Sequence, residues 1–389
     1  MNLDRIDSGI EKGVRWFMGS GIINGNGGSR NIAGSINSYY IPSEGRYAYA
    51  YSEVTGYGLT FLTYLHHKLG DGQYIDRALS SFEWLVDQAF NEEIGGCYCR
   101  YDLIKGIFEP RRICSYDNGM ILNGLCSLYR ITGRDDILAF AVSIGEFLVT
   151  KMVGEDGSVR ARYIFEEKRP LIESEMDKWS SQKGSFQAKI AIGLVNLYQL
   201  TEDDRYLDAA ERICSWSLRF QRDNGRFVTN RFDNSTHLHP HSYSCEGLLT
   251  VGSVLENNRF VEGALRGIEW GMKNKNETGG FPRNHKDGEF TRSERNDINA
   301  QMLRLQILGE GKGLEVRDED LQRTVERMIF FQRDSKDPRE DGAFIYGYGD
   351  LGNEMSNPNS WVTMFNVQAL IMYRDRIQRT GILDPLLIV

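Results

Sequence analysis

Residues 193–210 have the sequence GLVNLYQLTEDDRYLDAA: an apolar segment, a short polar turn, and a second segment that starts at acidic residues. The same pattern occurs three more times, as GLTFLTYLHHKLGDGQYIDRA (58–78), GLCSLYRITGRDDILAFA (124–141) and GLLTVGSVLENNRFVEGA (247–264). Two degenerate copies of the first half follow, DINAQMLRLQILG (297–309) and SWVTMFNVQALIMY (360–373). A pattern that returns at such intervals is typical of repeated helical hairpins. We therefore predict six apolar first helices.

The second helix of each hairpin is also visible in the sequence. Apolar residues recur at i, i+3, i+4 and i+7 with charged residues between them, the pattern of a helix with one face in solvent. YLDAAERICSWSLRF (206–220) shows it most clearly. These helices are predicted at 6–18, 74–90, 137–152, 206–220, 260–272 and 321–331. The first helices are apolar over more of their circumference, so we expect other helices to surround them.

Glycine turns followed by short aromatic or β-branched stretches connect the hairpins. They are GGCYCRYD (95–102), EDGSVRARY (155–163), DNGRFVTNRF (223–232), TGGFPRN (278–284) and DGAFIYGYG (341–349), with a looser version in NGNGGSRNIAG (24–34). Such segments predict tight turns that lead into short strands or hairpins.

Six hairpins with the same connection predict an all-α fold in which one ring closes on itself. We expect a single (α/α)6 barrel domain over residues 1–389, with apolar helices inside, amphipathic helices outside and short β-hairpins at one rim. The alternative is an open solenoid of TPR or HEAT type. Those repeats span ~34–47 residues, which is shorter than the intervals here, and they lack the glycine–strand insert.

At this level the chain resembles the six-hairpin glycosidase group, on the GLxxLYxxTGDxxYLDAA-like repeats and on QRDNGRF (221–227). That group includes unsaturated glucuronyl hydrolases, the N-acylglucosamine 2-epimerase family and the helical domain of glucuronyl C5-epimerases. The resemblance covers the whole chain as architecture and implies a carbohydrate-active enzyme. Its motifs mark the fold more than the reaction.

Composition narrows the class of protein. Of the 389 residues, 41% are hydrophobic and 26% are charged, as in an ordinary soluble globular protein. A net charge of −8 argues against a nucleic-acid binder, which would carry a basic face. No apolar run approaches the ~20 residues of a membrane span. The N-terminal segment lacks the basic end and apolar block of a signal peptide. We expect a cytoplasmic protein with free thiols, no membrane association and no cofactor.

The loops that enter the first helices should meet at one mouth of the barrel and form a funnel. Carboxylates, histidines, amides and aromatic residues precede these helices at six separate places, as a ligand rich in hydroxyl groups would require. A glycosidase needs two acids near the scissile bond. Glu53 and Asp117 come from neighbouring first helices and could face each other across the mouth, with Asp297 and Glu246 as further candidates. Each of Glu53, Asp117 and Asp297 could instead stabilise the start of its helix.

The segment THLHPHSYSCEG (236–247) carries three histidines at alternate positions. On an extended chain His237, His239 and His241 would share one side and could hold a metal, although Pro240 interrupts the segment. Each could also be a buried structural histidine. We predict no metal, and expect His239 or His241 to line the funnel and to bind hydroxyl groups or move a proton. Tyr243 could then protonate a leaving group in a lyase reaction.

Further residues should bind the substrate. Tyr51, Tyr116 and Trp361 would stack on sugar rings, and arginines at the rim would bind the carboxylate of a uronic acid. The complete predicted binding set is His239, Glu246, Asp297, Tyr51, Tyr116, Gln187, Arg231, Arg295 and Trp361, beside the catalytic candidates Asp117, Glu53, His241 and Tyr243.

The sequence thus favours a glycoside hydrolase for an oligosaccharide with acidic or N-acetylated sugars. A lyase or sugar epimerase that uses histidine and tyrosine, and a non-catalytic glycan-binding protein, are the alternatives. Endo versus exo action would depend on how far loops such as 164–181 close the funnel.

Overall fold

A computed structural model describes residues 3–25, 31–165, 167–171, 178–381 and 384–389. Twelve α-helices lie in this described part of the chain. They are α1 (Leu3–Gly19), α2 (Ser52–Leu69), α3 (Gln73–Trp84), α4 (Ser115–Thr132), α5 (Asp135–Phe147), α6 (Ile190–Thr201), α7 (Asp204–Leu218), α8 (Leu238–Val254), α9 (Asn258–Lys273), α10 (Asn296–Glu310), α11 (Asp318–Phe330) and α12 (Ser360–Gln378). Short helical turns extend three of them: Leu85–Ala89 after α3, Leu148–Met152 after α5 and Ser185–Lys189 before α6.

The even-numbered helices form a closed inner ring. Each packs on the next, from α2 through α4, α6, α8 and α10 to α12, and α12 packs back on α2. In α8 every residue from Leu238 to Gly252 is buried, as expected for a helix that other helices surround. The predicted all-α (α/α)6 barrel is confirmed.

The odd-numbered helices form the outer ring, and each is buried on one face only. In α7 the buried residues are Tyr206, Ala209, Ala210, Ile213, Cys214 and Ser217, at the three- and four-residue spacing of a single stripe. Chain order joins each inner helix to the outer helix that follows it. The sixth pair is made by the two ends of the described chain, where α1 packs on α12.

Short antiparallel strands lie where the chain enters the inner helices. They are β1 (Tyr40–Ile41), β2 (Arg46–Tyr47), β3 (Ala50–Tyr51), β4 (Phe90–Asn91), β5 (Gly96–Cys97), β6 (Arg100–Asp102), β7 (Ile107–Phe108), β8 (Arg112–Cys114), β9 (Arg162–Ile164), β10 (Arg169–Pro170), β11 (Thr236–His237), β12 (Asn284–Lys286), β13 (Glu289–Phe290), β14 (Glu294–Arg295), β15 (Ile345–Tyr348) and β16 (Glu354–Pro358). They pair as β1–β2, β3–β6–β7, β4–β5, β8–β9–β10, β11–β12–β13 and β14–β15–β16. Because β3, β8, β11 and β14 run directly into α2, α4, α8 and α10, they fix the first residues of those helices at one rim.

The glycine turns fit tightly against the outer helices. Gly225 has a φ of 91°, and a Cβ placed on it would lie 2.2 Å from the carbonyl oxygen of Arg266 in α9. Gly157 has a φ of 82°, with 2.1 Å to the carbonyl oxygen of Arg212 in α7. Only glycine combines a left-handed backbone with such a close approach. The repeated glycines therefore set the distance between rim and outer ring.

The segment 384–389 closes the opposite end of the barrel bore. Leu386, Ile388 and Val389 are buried there. The Gln368 amide on α12 donates to the Leu387 carbonyl oxygen at 2.8 Å, and the backbone N–H of Val389 donates back to its side-chain oxygen at 3.1 Å. The bore is consequently open at the strand rim and filled at its base.

None of the helices in the described ranges combines the length and the apolar content that crossing a bilayer requires.

Candidate active site

A cavity of about 380 Å³ opens at the strand rim of the barrel. Its walls come from β3, β6 and β8, from the first turns of α2, α4 and α8, and from β14–β15 on the far side. Many of the predicted site residues line it, namely Tyr51, Glu53, Tyr116, Asp117, His239, Tyr243, Arg295 and Trp361. The rim strands thus bring together side chains that are hundreds of residues apart in sequence.

Glu53 and Asp117 lie side by side in the wall, in the first turns of α2 and α4. The Asp117 carboxyl lies close enough to that of Glu53 to act on its pKa as a hydrogen-bonding neighbour. They therefore do not face each other across the mouth as predicted, because α2 and α4 are adjacent helices in close contact. A carboxyl pair in contact shares a proton, since two like charges at this distance cannot both form readily.

The two acids differ in how strongly they hold that proton. Burial, the neighbouring Cys114 thiol and the Glu53 carboxylate raise the pKa of Asp117 well above its usual range. Burial also raises the pKa of Glu53, but a hydrogen bond from Tyr51 and the positive charge of Lys189 oppose the rise. Glu53 accordingly ionises first and Asp117 keeps the proton, the division of roles that acid–base catalysis by two carboxyl groups requires.

Three tyrosine hydroxyl groups lie together beside this pair, and two of the three residues, Tyr116 and Tyr243, line the floor of the cavity. The Tyr57 hydroxyl lies 2.8 Å from that of Tyr116 and donates to that of Tyr243 at 2.9 Å. The Tyr116 and Tyr243 rings contact at 4.9 Å between centroids. Burial raises the pKa of Tyr243 well above its usual range, and the charge of Glu53 adds to the rise. All three hydroxyl groups are consequently protonated near neutral pH and can donate hydrogen bonds.

A buried lysine lies beneath these tyrosines. The Lys189 ammonium is 4.8 Å from the Tyr243 ring centroid and donates to Glu246 Oε2 at 2.7 Å. Arg304 donates to Glu246 Oε1 at 2.8 Å, and both cations also donate to the Val389 carbonyl oxygen. Burial lowers the pKa of Lys189 to about 8 although Glu246 opposes the change.

Glu246 was predicted to bind substrate, but the structure places it outside the cavity wall. Glu246 lies more than two turns inside α8, below the cavity floor, where its two oxygens hold Lys189 and Arg304. It is an internal counter-ion and does not line the cavity.

His239 lines the cavity with a defined proton arrangement. The Gln301 amide nitrogen lies 3.4 Å from Glu246 Oε2 as a donor, so its oxygen faces His239 Nδ1 at 2.7 Å. Nδ1 therefore carries the proton and Nε2 is the acceptor. Burial lowers the pKa of His239 to about 3, although the Asp297 carboxylate opposes the change. The ring is a neutral imidazole that can accept a proton from a bound ligand.

Arg295 enters the cavity from β14. Its guanidinium forms a bidentate pair with Asp297, donates to the Tyr346 hydroxyl at 2.7 Å and lies 4.3 Å from the Tyr346 ring centroid. Burial disfavours the Asp297 carboxylate, but Arg295 and His239 hold its pKa below the usual value. Asp297, expected to contact substrate, thus positions Arg295 and His239 and does not itself line the cavity.

His241 does not reach the cavity, which corrects the prediction that it moves a proton there. Its Nδ1 accepts from the Phe227 backbone N–H at 3.2 Å, and its Nε2 lies 3.0 Å from the Gly267 carbonyl oxygen. The side chain is fully buried, and burial lowers its pKa to about 4. Both nitrogens are therefore used by backbone groups, as in a structural histidine.

The reason for this misplacement is the start of α8. The prediction assumed an extended segment, but the helix begins at Leu238, with the His237 Nδ1 accepting the backbone N–H of His239 at its N-terminus. Proline is tolerated in a first helical turn, so Pro240 does not interrupt it. Residues two apart on a helix point to nearly opposite sides. His239 therefore faces the cavity while His241 faces the outer ring, and the three histidines form no metal group in the described part of the chain.

Two further predicted residues lie away from the cavity. Gln187 is buried in the turn before α6, where its amide nitrogen lies 3.5 Å from the Gln182 carbonyl oxygen. Arg231 follows the glycine turn of the fourth connection, with its guanidinium 5.9 Å from the Phe232 ring centroid. Neither lines the cavity. Much of the segment 164–181, which was expected to control closure of the funnel, lies outside the described residues.

Sequence reasoning missed several residues of the wall. They are Tyr49, Cys99, Arg100, Cys114, Trp179, Phe186 and Tyr346. Cys99, Arg100 and Tyr346 belong to segments that the sequence indicated only as connections. Trp179 packs edge-on against Phe186 at 5.0 Å and adds an aromatic face that no repeat pattern marks.

Solved structures show where this fold has been seen before. A sugar epimerase from a ruminal bacterium aligns with a TM-score of 0.78 at 15% identity, over 98% of this chain and 100% of that one. Cellobiose 2-epimerase from Bacillus thermoamylovorans aligns with a TM-score of 0.76 at 13% identity, over 95% and 98%. An unsaturated glucuronyl hydrolase specific for heparin aligns with a TM-score of 0.70 at 13% identity, over 97% and 99%.

The chain has the (α/α)6 barrel fold of these enzymes. No family model and no curated protein matches its sequence. At identities this low the likeness establishes the fold of the chain, and the chemistry has to be argued from its own cavity.

Proposed function

We propose that this chain is a carbohydrate-active enzyme, a glycoside hydrolase in which Asp117 is the general acid. The observation that carries the proposal is the presence of two neighbouring carboxyl groups, Glu53 and Asp117, which raise or lower each other's pKa in the wall of an aromatic-lined cavity. One member of the pair is held protonated and the other ionises more readily. The sugar epimerases and glucuronyl hydrolase of the same fold support a sugar substrate.

The pair works from one side of the substrate. Glycosidases that place two carboxylates on opposite sides of the bond separate them by ~5–5.5 Å or ~6.5–9.5 Å, and no sugar ring fits between carboxyls in contact. In our proposal Asp117 gives its proton to the leaving-group oxygen of the glycosidic bond as that bond breaks. Glu53, beside it, takes a proton from the attacking water, so that the pair regains its single proton after one turnover.

The cavity wall favours an acidic sugar. Arg100 and Arg112 line it together with Arg295, and neither Arg100 nor Arg112 forms an ion pair with a carboxylate of the described residues. Arg100 lies 3.7 Å above the Tyr49 ring centroid, which holds the guanidinium flat against the wall. A guanidinium held this way presents two N–H groups for a uronic-acid carboxylate.

An oligosaccharide with a uronic acid is therefore the proposed substrate, with N-acetylated sugars as the other class to test. We also propose that residues 1–389 form one domain, because the inner ring closes through contacts between α12 and α2. All six cysteines are free thiols, which supports the proposed cytoplasmic location.

The experiment that tests the function is a product assay on uronic-acid and N-acetylhexosamine oligosaccharides. New reducing ends, without the ultraviolet absorbance of a C4–C5 unsaturated sugar, are expected from a hydrolase. Appearance of that absorbance would indicate a lyase and contradict the proposal. Binding of the oligosaccharide with no product in either measurement would indicate a glycan-binding protein.

The pH dependence of the reaction should reveal the coupling between the two acids. Replacement of Glu53 by glutamine removes one of the charges that raise the pKa of Asp117, so that pKa should fall while remaining raised by burial. Asp117 must be protonated to act, so activity is lost as pH rises through its pKa. We expect the basic limb of the kcat/KM profile to move to lower pH in Glu53→Gln. An unchanged basic limb would show that Asp117 does not set it.

A second candidate function rests on His239. Its Nδ1 is held by Gln301, and its Nε2, which has no hydrogen-bond partner among the described residues, belongs to a neutral ring in the cavity wall, the state in which a histidine abstracts a proton from carbon. This arrangement suits a sugar epimerase, with a tyrosine of the floor as proton donor. Exchange of solvent deuterium into the sugar, lost in His239→Ala and retained in Asp117→Asn, would favour this candidate over the hydrolase.

A further inference from the structure

Two cysteines and Asp117 converge in one corner of the cavity. Cys99 lies between β5 and β6, and Cys114 ends β8 at the start of α4. Their sulfur atoms are 3.1 Å apart. The two sulfurs and an Asp117 oxygen all lie within 4.8 Å of one another, which no other trio of such ligand atoms does in the described part of the chain.

The backbone holds these three residues firmly in place. The N–H of Cys99 donates to the Arg112 carbonyl oxygen at 2.9 Å, and its own carbonyl oxygen accepts the N–H of Ser52 at 2.8 Å. Cys114 is paired in register with Arg162 across β8 and β9. The corner is therefore built by three strands and two helix starts and does not depend on a free loop.

A second observation concerns one oxygen of the Asp117 carboxyl group. Asp117 is 3% exposed, and its Oδ2 is buried with no hydrogen-bond donor among the described residues. A buried carboxylate oxygen is normally satisfied by a donor or by a cation.

We propose that Cys99, Cys114 and Asp117 form a binding site for a thiophilic divalent cation such as Zn²⁺. Thiolate sulfur and carboxylate oxygen are both zinc ligands, at ~2.3 Å and ~2.0–2.2 Å. Two sulfurs bound to one tetrahedral ion are about 3.8 Å apart. The thiols must therefore separate by about 0.7 Å, which is within the reach of small side-chain rotations.

The charge around the corner suits a bound ion. Two thiolates and one carboxylate carry three negative charges, so a divalent cation leaves one of them uncompensated. Arg112 and Arg162 lie close enough to act electrostatically on the Cys114 sulfur. Arg162 faces Cys114 across the sheet, and Arg112 is two residues before it on β8 and so on the same face. The two guanidinium groups offset the remaining charge.

The fourth coordination position faces the cavity, because all three ligands lie in its wall. Three protein ligands with one open position is the arrangement of zinc sites that bind water or small ligands. The site goes beyond the proposed hydrolase function. With the ion bound, Asp117 has no proton to give, so occupation of the site and Asp117-dependent hydrolysis exclude each other.

Metal binding can be measured directly, without any substrate. The reduced, full-length protein is dialysed against Zn²⁺ or Cd²⁺, bound metal per chain is determined, and the Cd²⁺–thiolate charge-transfer absorbance is recorded. We expect one ion per chain and a thiolate band. Loss of a residue that only supports a metal ligand weakens metal binding ~10–100-fold. Cys99 and Cys114 are proposed as ligands themselves, so Cys99→Ser and Cys114→Ser should each weaken affinity for the metal by more than ~100-fold. Asp117→Asn should bind more weakly but keep the thiolate band.

Cys126→Ser is the matched control. Cys126 is also buried on α4, but it is not part of the group, so it should leave stoichiometry and band unchanged. Equal metal uptake by the wild type and the Cys99→Ser/Cys114→Ser double variant would overturn the proposal. Formation of a disulfide between Cys99 and Cys114 in the presence of excess Zn²⁺ would also overturn it. Neither result depends on whether the chain hydrolyses a sugar.

Discussion

Replacing Asp117 by asparagine should reduce kcat by at least ~100-fold on whichever oligosaccharide the wild type hydrolyses, since a positioned general acid contributes ~10²–10⁴-fold. Asparagine keeps the size of the side chain but has no proton of suitable acidity. The aromatic and basic walls stay in place, so KM should change little. A loss in kcat with KM unchanged is the mark of a group that acts mainly in the transition state.

The measurement compares kcat and KM of wild type, Asp117→Asn and Asp375→Asn under the same conditions. Asp375 is a suitable control because it is also a buried carboxylate on an inner helix, paired with Lys68 at 2.6 Å. It lies at the C-terminal end of α12, away from the strand rim. Its replacement should lower stability and leave kcat nearly unchanged.

Folded Asp117→Asn protein with wild-type kcat would show that the carboxyl pair is not the proton donor. The His239 mechanism would then take its place. Asparagine at position 117 could also disturb the fold, so thermal unfolding of each variant has to accompany the kinetics.

The barrel could be predicted because each of its repeats produces a recognisable pattern in a short stretch of sequence. A three- and four-residue apolar stripe identifies an outer helix such as α7 without knowledge of its neighbours. The glycine turns mark the connections for an equally local reason, which at Gly225 is a positive φ and close contact with α9. The plug formed by 384–389 has no such pattern and was missed.

The candidate site could be predicted only in part, because a side chain's direction depends on where its helix begins. Glu53 and Asp117 could be placed at the rim, since each occupies the first turn after a rim strand, but their side-by-side arrangement depends on the packing of α2 against α4. His239 and His241 differ by two positions, and the start of α8 at Leu238 sends them to opposite sides. Cys99 and Cys114 come together through pairing of strands far apart in the chain, which no spacing within the sequence indicates.

Glu246 was missed as an internal counter-ion for a related reason. Its partners come from α10 and from the turn before α6, and each looks like an ordinary polar residue within its own segment. Packing of the inner ring makes them one network.

Loss of this network should have the largest effect on stability in the molecule. Glu246→Gln leaves Lys189 and Arg304 buried without a counter-charge, and breaking one partner out of a buried ion pair destabilises a protein by about 3–5 kcal/mol. The free energy of unfolding from urea titration would measure the loss. Glu146→Gln removes one partner of an exposed pair with Arg205, and such pairs contribute ~0–1 kcal/mol. Similar losses in the two variants would contradict the role of the network.

Comparison of the two cations should show which of them causes the loss. Lys189 has a pKa of about 8 and can give up its proton when Glu246 is gone. Arg304 cannot, because a guanidinium stays charged in proteins. The uncompensated charge in Glu246→Gln is therefore mainly that of Arg304, so adding Arg304→Met should recover more of the lost stability than adding Lys189→Met.

Lys189 is also the cation nearest the tyrosine floor. Its neutralisation in Glu246→Gln should remove the charge that holds down the pKa of Glu53, which links the base of the barrel to the carboxyl pair at its mouth.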